Sequence, residues 1–281
     1  KARKIPGRPP RLSGVQIRWI YETVTMKNPQ QLKFPFALWT RGMVGVLIRR
    51  QFGVRLASNS VGRLLAKLGL SCQRPLYRAY QQNPALVESW LKNEFPAIRK
   101  LAKECNAEVF FGDEAGIRSD YHSGTTWARK GQTPVVTSTG ARFGLNMMSA
   151  VSSRGLMRFM IIEGRINGSR VCEFLRRLID GAHRPIFVIL DGHPAHRAKM
   201  VRDYVDLQKG RLRLFFLPPY APEVNPDEFV WRHVKGHGVG RETLTGPDDL
   251  RAKVLRHLRS LQKRPGIVRS FFQTKTTKYA A

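Results

Sequence analysis

The strongest limit on the fold is a series of apolar runs of strand length, the later ones separated by helix-length segments. EVFFGD (108–113), LNMMSAVSS (145–153), LMRFMII (156–162), PIFVIL (185–190) and LRLFFL (212–217) are rich in β-branched and aromatic residues and read as strands. TTWARKGQTPVVTST (125–139) reads as a hairpin around Lys130-Gly131. Helical patterns fill 169–180 and 195–207. Strands in meander, followed by alternating helix and strand, describe an α/β fold: a mixed sheet with helices on its faces. GPDDLRAKVLRHLRSLQ (246–262) adds an amphipathic helix with acids first and bases last, matching the helix macrodipole. The basic tail from Lys263 gives no further signal.

Acids are scarce, 20 Asp and Glu against 49 Lys and Arg, so their placement is informative. Asp113 closes EVFFGD and Asp191 follows PIFVIL. In an open sheet such strand ends line a common crevice. Glu228 lies in LPPYAPEVNPDEFVW (217–231), at the start of a helix primed by Asn225-Pro226. Three carboxylates brought together repel one another and stay partly protonated unless a cation compensates. Mg²⁺, or Mn²⁺ in its place, takes oxygen ligands and leaves positions for water and phosphate oxygens. Two such ions about 4 Å apart activate a water or a 3′-hydroxyl and stabilise the leaving oxygen of a phosphoryl displacement. Asp113, Asp191 and Glu228 are therefore the candidate metal-binding and catalytic residues. Glu114, Asp120 and Asp227 read as ordinary strand-end or cap acids, although Glu114 is also placed to tune the site. His193 and His196 lack the spacing of a zinc site and read as DNA-contacting or helix-surface residues. Trp127 and Trp231 read as core aromatics, and Asn225 with its neighbouring prolines as architectural.

The net charge of +29 far exceeds what solubility requires and points to a polyanion partner. Residues 1–80 hold sixteen Lys or Arg against one acid, Glu22, a net of +15. Helices fit from Ser13, with Val15, Trp19, Ile20 and Val24 on one face, then over 40–51 and 58–68. The last two, joined by a Gly-containing turn, resemble a helix-turn-helix, with CQRPLYRAYQQ (72–82) as a wing. Residues 1–14 form a Pro- and Gly-rich basic segment whose Gly7-Arg8-Pro9 resembles an AT-hook core. Candidate DNA contacts are Arg8, Arg11, Arg49, Arg50, Asn59, Arg63, Lys67, Arg74 and Arg78. The expected division is a basic linker (1–14), a winged helix-turn-helix (15–82), a connector helix (83–106) with a break near Pro96, and a catalytic domain (107–281). No run of the ~18 apolar residues needed to span a bilayer is present, so no membrane partner is expected. Cys72, Cys105 and Cys172 show no CxxC spacing and read as reduced thiols.

FGDEAG around Asp113, VILDGHPAHRAK around Asp191 and LPPYAPEVNPDEFVW around Glu228 together resemble the DDE transposases of bacterial insertion sequences, mariner superfamily. The 36 residues between Asp191 and Glu228 match the short interval of that family. The resemblance spans nearly the whole chain. It implies an RNase H-like catalytic domain behind an all-α winged helix-turn-helix, with Asp113, Asp191 and Glu228 as the triad. It further implies cut-and-paste movement with insertion at TA, on double-stranded DNA comprising terminal inverted repeats and target. A homodimer on DNA and a cytoplasmic, nucleoid-associated location follow by the same analogy. Residues 1–14 look like the Gly-Arg-Pro linker that joins two helix-turn-helix units in this family, which implies a further unit ahead of Lys1. A DNA-binding regulator on a non-catalytic scaffold, and an RNase H-like nuclease without strand transfer, are the competing readings.

Overall fold

The computed structural model describes residues 10–73 and 81–281. It separates into two compact units, 1–77 and 78–281. The expected linker around Arg8, and most of the expected wing with Arg74 and Arg78, lie outside the described residues.

The first unit is helical. Ser13 caps α1 (Gly14–Met26) through a reciprocal capping box with Gln16, which satisfies two backbone donors that the helix start leaves free. Thr40 caps α2 (Arg41–Phe52), and Gly53 ends it at φ 68°, a conformation only glycine adopts readily. The third helix, α3 (Ser58–Lys67), follows after a short turn. Ile20, Val44, Ile48 and Val61, all fully buried, join the three helices into a small core.

The second unit opens with a connector. Asn83 caps α4 (Pro84–Ser89), which passes through a π turn at Trp90–Glu94 into α5 (Phe95–Glu104). The break expected near Pro96 is thus a widening of the helix. Proline lacks an N–H and crowds the preceding turn, and the π turn just before it relieves that conflict without ending the helix.

Five strands form one sheet in the order β3-β2-β1-β4-β5: β1 (Glu108–Arg118), β2 (Gly144–Val151), β3 (Met157–Ile162), β4 (Ile186–Leu190) and β5 (Leu212–Phe216). The first three are an antiparallel meander, while β4 and β5 run parallel to β1. Crossovers carry α6 (Gly168–Ile179) and α7 (Lys199–Leu207), and α8 (Glu228–His233), α9 (Pro247–Gln262) and α10 (Pro265–Ser270) follow the last strand. Strand residues alternate between two cores. Phe110, Met148, Val188 and Leu190 pack with α6 and α7, whereas Phe111, Met147, Phe187 and Ile189 pack with α5, α9 and α10.

Three expectations need correction. First, 120–143 carries no strand: the turn at Lys130-Gly131 is present, but Val135, Val136 and Trp127 are exposed, Trp127 completely. A two-stranded ribbon with no apolar face to bury is marginal in water. Its neck is closed instead by Ser119, whose N–H donates to Phe143 O at 2.9 Å. Second, the tail beyond Lys263 is structural, because Val268, Phe271, Phe272 and Ala280 are buried in the core. Third, Asp113 is not at a strand end. β1 pairs with β4 only over Glu108–Phe111, but with β2 from Phe111 to Arg118.

Gly112 marks the point where β1 outruns β4. A methyl group there would meet Leu190 Cδ2 at 2.8 Å and Ser149 O at 3.1 Å. Overpacking of this kind costs about 1–3 kcal/mol. Gly112→Ala is expected to lower the denaturant midpoint of the purified chain accordingly; an unchanged midpoint would show that the sheet yields freely beside Asp113.

Candidate active site

The parallel register aligns Phe111 with Ile189. Extending it two places sets Asp113 level with Asp191, on the sheet face of Phe111 and Ile189. Asp113, Asp191 and Glu228 all line one cleft of about 580 Å³, with Arg197, Asn225 and the segment Leu217–Pro222. The cleft thus brings together a mid-strand residue, a loop residue and the first residue of a short helix.

Each acid has a different setting. Asp113 is 8% exposed and accepts a hydrogen bond from Trp231 Nε1 at 3.0 Å. Burial, then the charges of Glu228, Glu114 and Asp191, push its carboxyl well above the usual range. Glu228 is also raised, first by burial, although Lys235 and Arg232 oppose the shift. Asp191 behaves in the opposite sense. Burial pushes it upward, but His196 and the His193 N–H outweigh that and hold it below its ordinary value. The His193 N–H donates to Asp191 Oδ1 at 3.0 Å, and His196 Nδ1 is 2.8 Å from the same oxygen.

Behind the cleft lies a buried polar layer that the sequence did not disclose. Asp227 is fully buried, and Ser149, which pairs with Asp113 across the ladder, donates to its Oδ2 at 2.5 Å. Burial and the adjacent Asp113 raise Asp227 well above the carboxylate range. Asn225 donates to Gly112 O at 3.2 Å and accepts from the Asp227 N–H at 3.1 Å, tying the loop before α8 to β1. Asp227, expected to be an ordinary strand-end or cap acid, stands at the N-cap of α8 but makes no side-chain cap hydrogen bond. His196, expected to contact DNA or lie on a helix surface, has no exposed area. Its carboxylate partners explain the difference: burial disfavours the charged ring, and the facing carboxylates of Asp191 and Glu114 prevail, raising it to about 10. The helix expected from 195 begins only at Lys199, so His196 sits in the turn before it. Trp231 is buried as expected, and its hydrogen bond to Asp113 gives it a place in the site.

The loop leading to Glu228 is held from several directions. Tyr220 adopts φ 56°, an uncommon conformation for a bulky residue that marks a tight turn. Gln82 Nε2 donates to Tyr220 O at 2.9 Å and to Glu223 Oε1 at 2.8 Å. Tyr279 donates to Val224 O at 2.8 Å and accepts from Trp90 Nε1 at 3.1 Å. Arg197, also unforeseen, stands with its guanidinium 4.4 Å from the centre of the Phe216 ring, a cation–π contact. Among the described residues no carboxylate pairs with it. It therefore offers the cleft one positive charge opposite three acids.

The donor set suits a hard divalent cation: oxygen ligands, two of them pushed toward the protonated state first by burial and then by neighbouring carboxylates, whose charge a cation would offset. The family model for DDE superfamily endonucleases matches residues 108–250, just over half of the chain and inclusive of all three acids. The chain belongs to the DDE superfamily endonucleases. A winged helix-turn-helix model matches residues 35–94 of this endonuclease. No curated protein matches it. Its fold is similar to that of the Mos1 mariner transposase. The paired-end complex with Mn gives a TM-score of 0.63 at 15% identity, covering 100% of this chain and 82% of that one. The paired-end complex with Mg gives 0.62 at 15%, with the same coverage of each chain. The strand transfer complex gives 0.60 at 15%, covering 96% and 81%. The five-strand order and flanking helices are thus an RNase H-like arrangement.

In the winged helix-turn-helix, Asn59, Arg63 and Lys67 are exposed on α3 at spacings of four, hence on one helical face. Arg49 and Arg50 are exposed in the last turn of α2, and the Arg50 guanidinium lies 4.8 Å from the Phe34 ring. Arg11 is exposed, with its side chain donating to Arg55 O at 3.2 Å. Cys72, Cys105 and Cys172 are free thiols. Among the described residues, no helix is long and apolar enough to cross a membrane.

Proposed function

We propose that this DDE endonuclease is a cut-and-paste transposase. It cleaves double-stranded DNA at the terminal inverted repeats of a mobile element and joins the freed ends to target DNA at TA. The observation that carries the reading is the convergence of Asp113, Asp191 and Glu228 on one cleft that also holds the unpaired cation of Arg197. Asp113, Asp191 and Glu228 are the residues that would hold Mg²⁺ or Mn²⁺, two ions per site. Divalent cations in that position supply charge that activates the attacking oxygen and stabilises the leaving one.

The chain's own residues do the rest. In the first step water attacks the scissile phosphorus, the bond to the 3′ oxygen breaks, and that oxygen takes a proton to leave as a 3′-hydroxyl. In the second step this hydroxyl attacks a target phosphorus and the target's 3′ oxygen departs in the same way. Both displacements suit one cleft, because the attacking group is a hydroxyl or water each time. Arg197 binds a DNA phosphate at the cleft mouth, its guanidinium kept in place by Phe216. Trp231 fixes Asp113, and Asn225 with the Tyr220 turn sets where Glu228 enters.

Arg49, Arg50, Asn59, Arg63 and Lys67, with Arg11 and the basic linker, hold the DNA; a homodimer brings the two ends together. Arg63→Ala or Lys67→Ala is expected to weaken duplex binding and to reduce the slope of log K against log salt by about 1, since each phosphate contact contributes roughly that much. An unchanged slope would exclude α3 as the DNA-contacting helix.

The deciding experiment incubates the protein with Mg²⁺, a plasmid carrying a mini-element, and target DNA. Element ends joined to target are expected. Nicks without joining would make it a nuclease only, and binding without cleavage would make it a DNA-binding regulator.

A further inference from the structure

Asp191 lies just past the last residue of β4, where no ladder fixes its backbone. Its Oδ1 accepts from the His193 N–H at 3.0 Å and lies 2.8 Å from His196 Nδ1, which also stands 3.3 Å from the Asp191 backbone carbonyl oxygen. Among the described residues no hydrogen bond reaches Oδ2. The His196 ring has no exposed surface, and its other nitrogen, Nε2, is 3.1 Å from Glu114 Oε2. Glu114 follows Asp113 on β1 and so projects to the opposite face of the sheet. The imidazole therefore bridges a residue anchored in the ladder and a residue on the loop. It is absent from the lining of the cleft, so its contacts are with the acid and not with anything the cleft would bind.

Glu114, Asp191 and His196 offer ligand atoms within 4.8 Å of one another, which would suggest a metal held by the histidine itself. The geometry argues otherwise. The two carboxylates face opposite nitrogens of the ring, Asp191 Oδ1 at 2.8 Å from Nδ1 and Glu114 Oε2 at 3.1 Å from Nε2, so neither nitrogen faces both of them.

We propose that His196, braced by Glu114, is a positioning residue that fixes Asp191 by Oδ1 and leaves Oδ2 for the divalent cation. The inference rests on the assignment of Asp191 as a metal ligand. In metal sites, partners that orient a ligand in this way contribute about ten- to a hundredfold to metal affinity.

The test is Mn²⁺ binding to the full chain without DNA, by calorimetry or by electron paramagnetic resonance, with thermal unfolding measured separately in the absence of metal. His196→Ala is expected to weaken Mn²⁺ binding about ten- to a hundredfold. His196→Gln, which keeps one donor, should recover part of the loss and carries the test should the alanine variant not fold. Glu114→Gln should weaken binding less than His196→Ala and add little in the double variant, because it acts through the ring. A role in packing alone would move the melting temperature and leave the affinity of the folded variants unchanged. Wild-type binding with variants within twofold of it overturns the positioning role and spares the metal assignment. Wild-type protein that binds no Mn²⁺ overturns both.

Discussion

Asp191→Asn is expected to abolish DNA cleavage while leaving duplex binding within about twofold of wild type. The substitution keeps the size of the side chain and an acceptor oxygen for the His193 N–H and for His196, so the loop retains its hydrogen bonds. What disappears is the negative charge. Charge stabilisation by a bound cation is worth several kcal/mol in a phosphoryl displacement, and every 1.4 kcal/mol is tenfold in rate. A loss of about a thousandfold or more follows. A supercoiled-plasmid nicking assay at saturating protein reads the rate, and a gel-shift titration reads the binding. The proposed DNA contacts lie on the helical unit and Arg197, none of which the substitution touches. Cleavage within tenfold of wild type would remove Asp191 from the metal site.

Asp113→Asn is the second large effect, and it appears in stability as well as in chemistry. Wild-type Asp113 is buried among Glu228, Glu114 and Asp191, all of which disfavour its charge. Its carboxyl is raised relative to the unfolded chain, so the stability it contributes is complete below about pH 3.9, the ordinary value. That stability is lost as pH rises through the higher folded value. The metal-free protein should therefore melt progressively lower as pH climbs from about 4 toward neutrality. Each tenfold displacement of that equilibrium is worth about 1.4 kcal/mol, or roughly 2–3 °C in Tm for a chain of this size. Mg²⁺ or Mn²⁺ at neutral pH should restore the loss, since a ligand that binds only the folded state stabilises it by mass action. The asparagine variant should melt higher than wild type without metal, show a flatter pH dependence, and gain little from added cation. It should also be inactive in the nicking assay. Equal metal-induced shifts in wild type and variant would show that the cation binds without Asp113.

Local chemistry was legible in the sequence and distant contact was not. Ser13, Thr40 and Asn83 cap their helices as read, because a cap concerns residues two or three apart. The five apolar runs became the five strands, and the α/β architecture followed from their order. Asp113, Asp191 and Glu228 could be singled out because acids are rare and these stand beside apolar runs. His196, Asp227 and Arg197 could not, since each owes its character to a partner from another element: Glu114 on β1, Ser149 on β2 and Phe216 on β5. The tail failed for the same reason. Phe272 and Tyr279 show no period of their own; Phe272 is buried and Tyr279 half-buried only because the connector and β1 supply their neighbours, as in the contacts of Tyr279 with Phe95 and of both with Phe111. Trp127 failed in the opposite direction. A large aromatic is usually buried, but only where a surface exists to receive it.

β1 continues, laced to β2, for seven residues past its last pairing with β4 at Phe111. Asp113 is therefore mounted on a strand paired to β2, while the other two acids stand on a loop and at the start of a six-residue helix. A catalyst that accepts first water and then a DNA end, as proposed above, needs some members of its constellation to give way and one to serve as datum. In this chain the datum is woven into the ladder, and whatever gathers in the cleft takes its bearings from there.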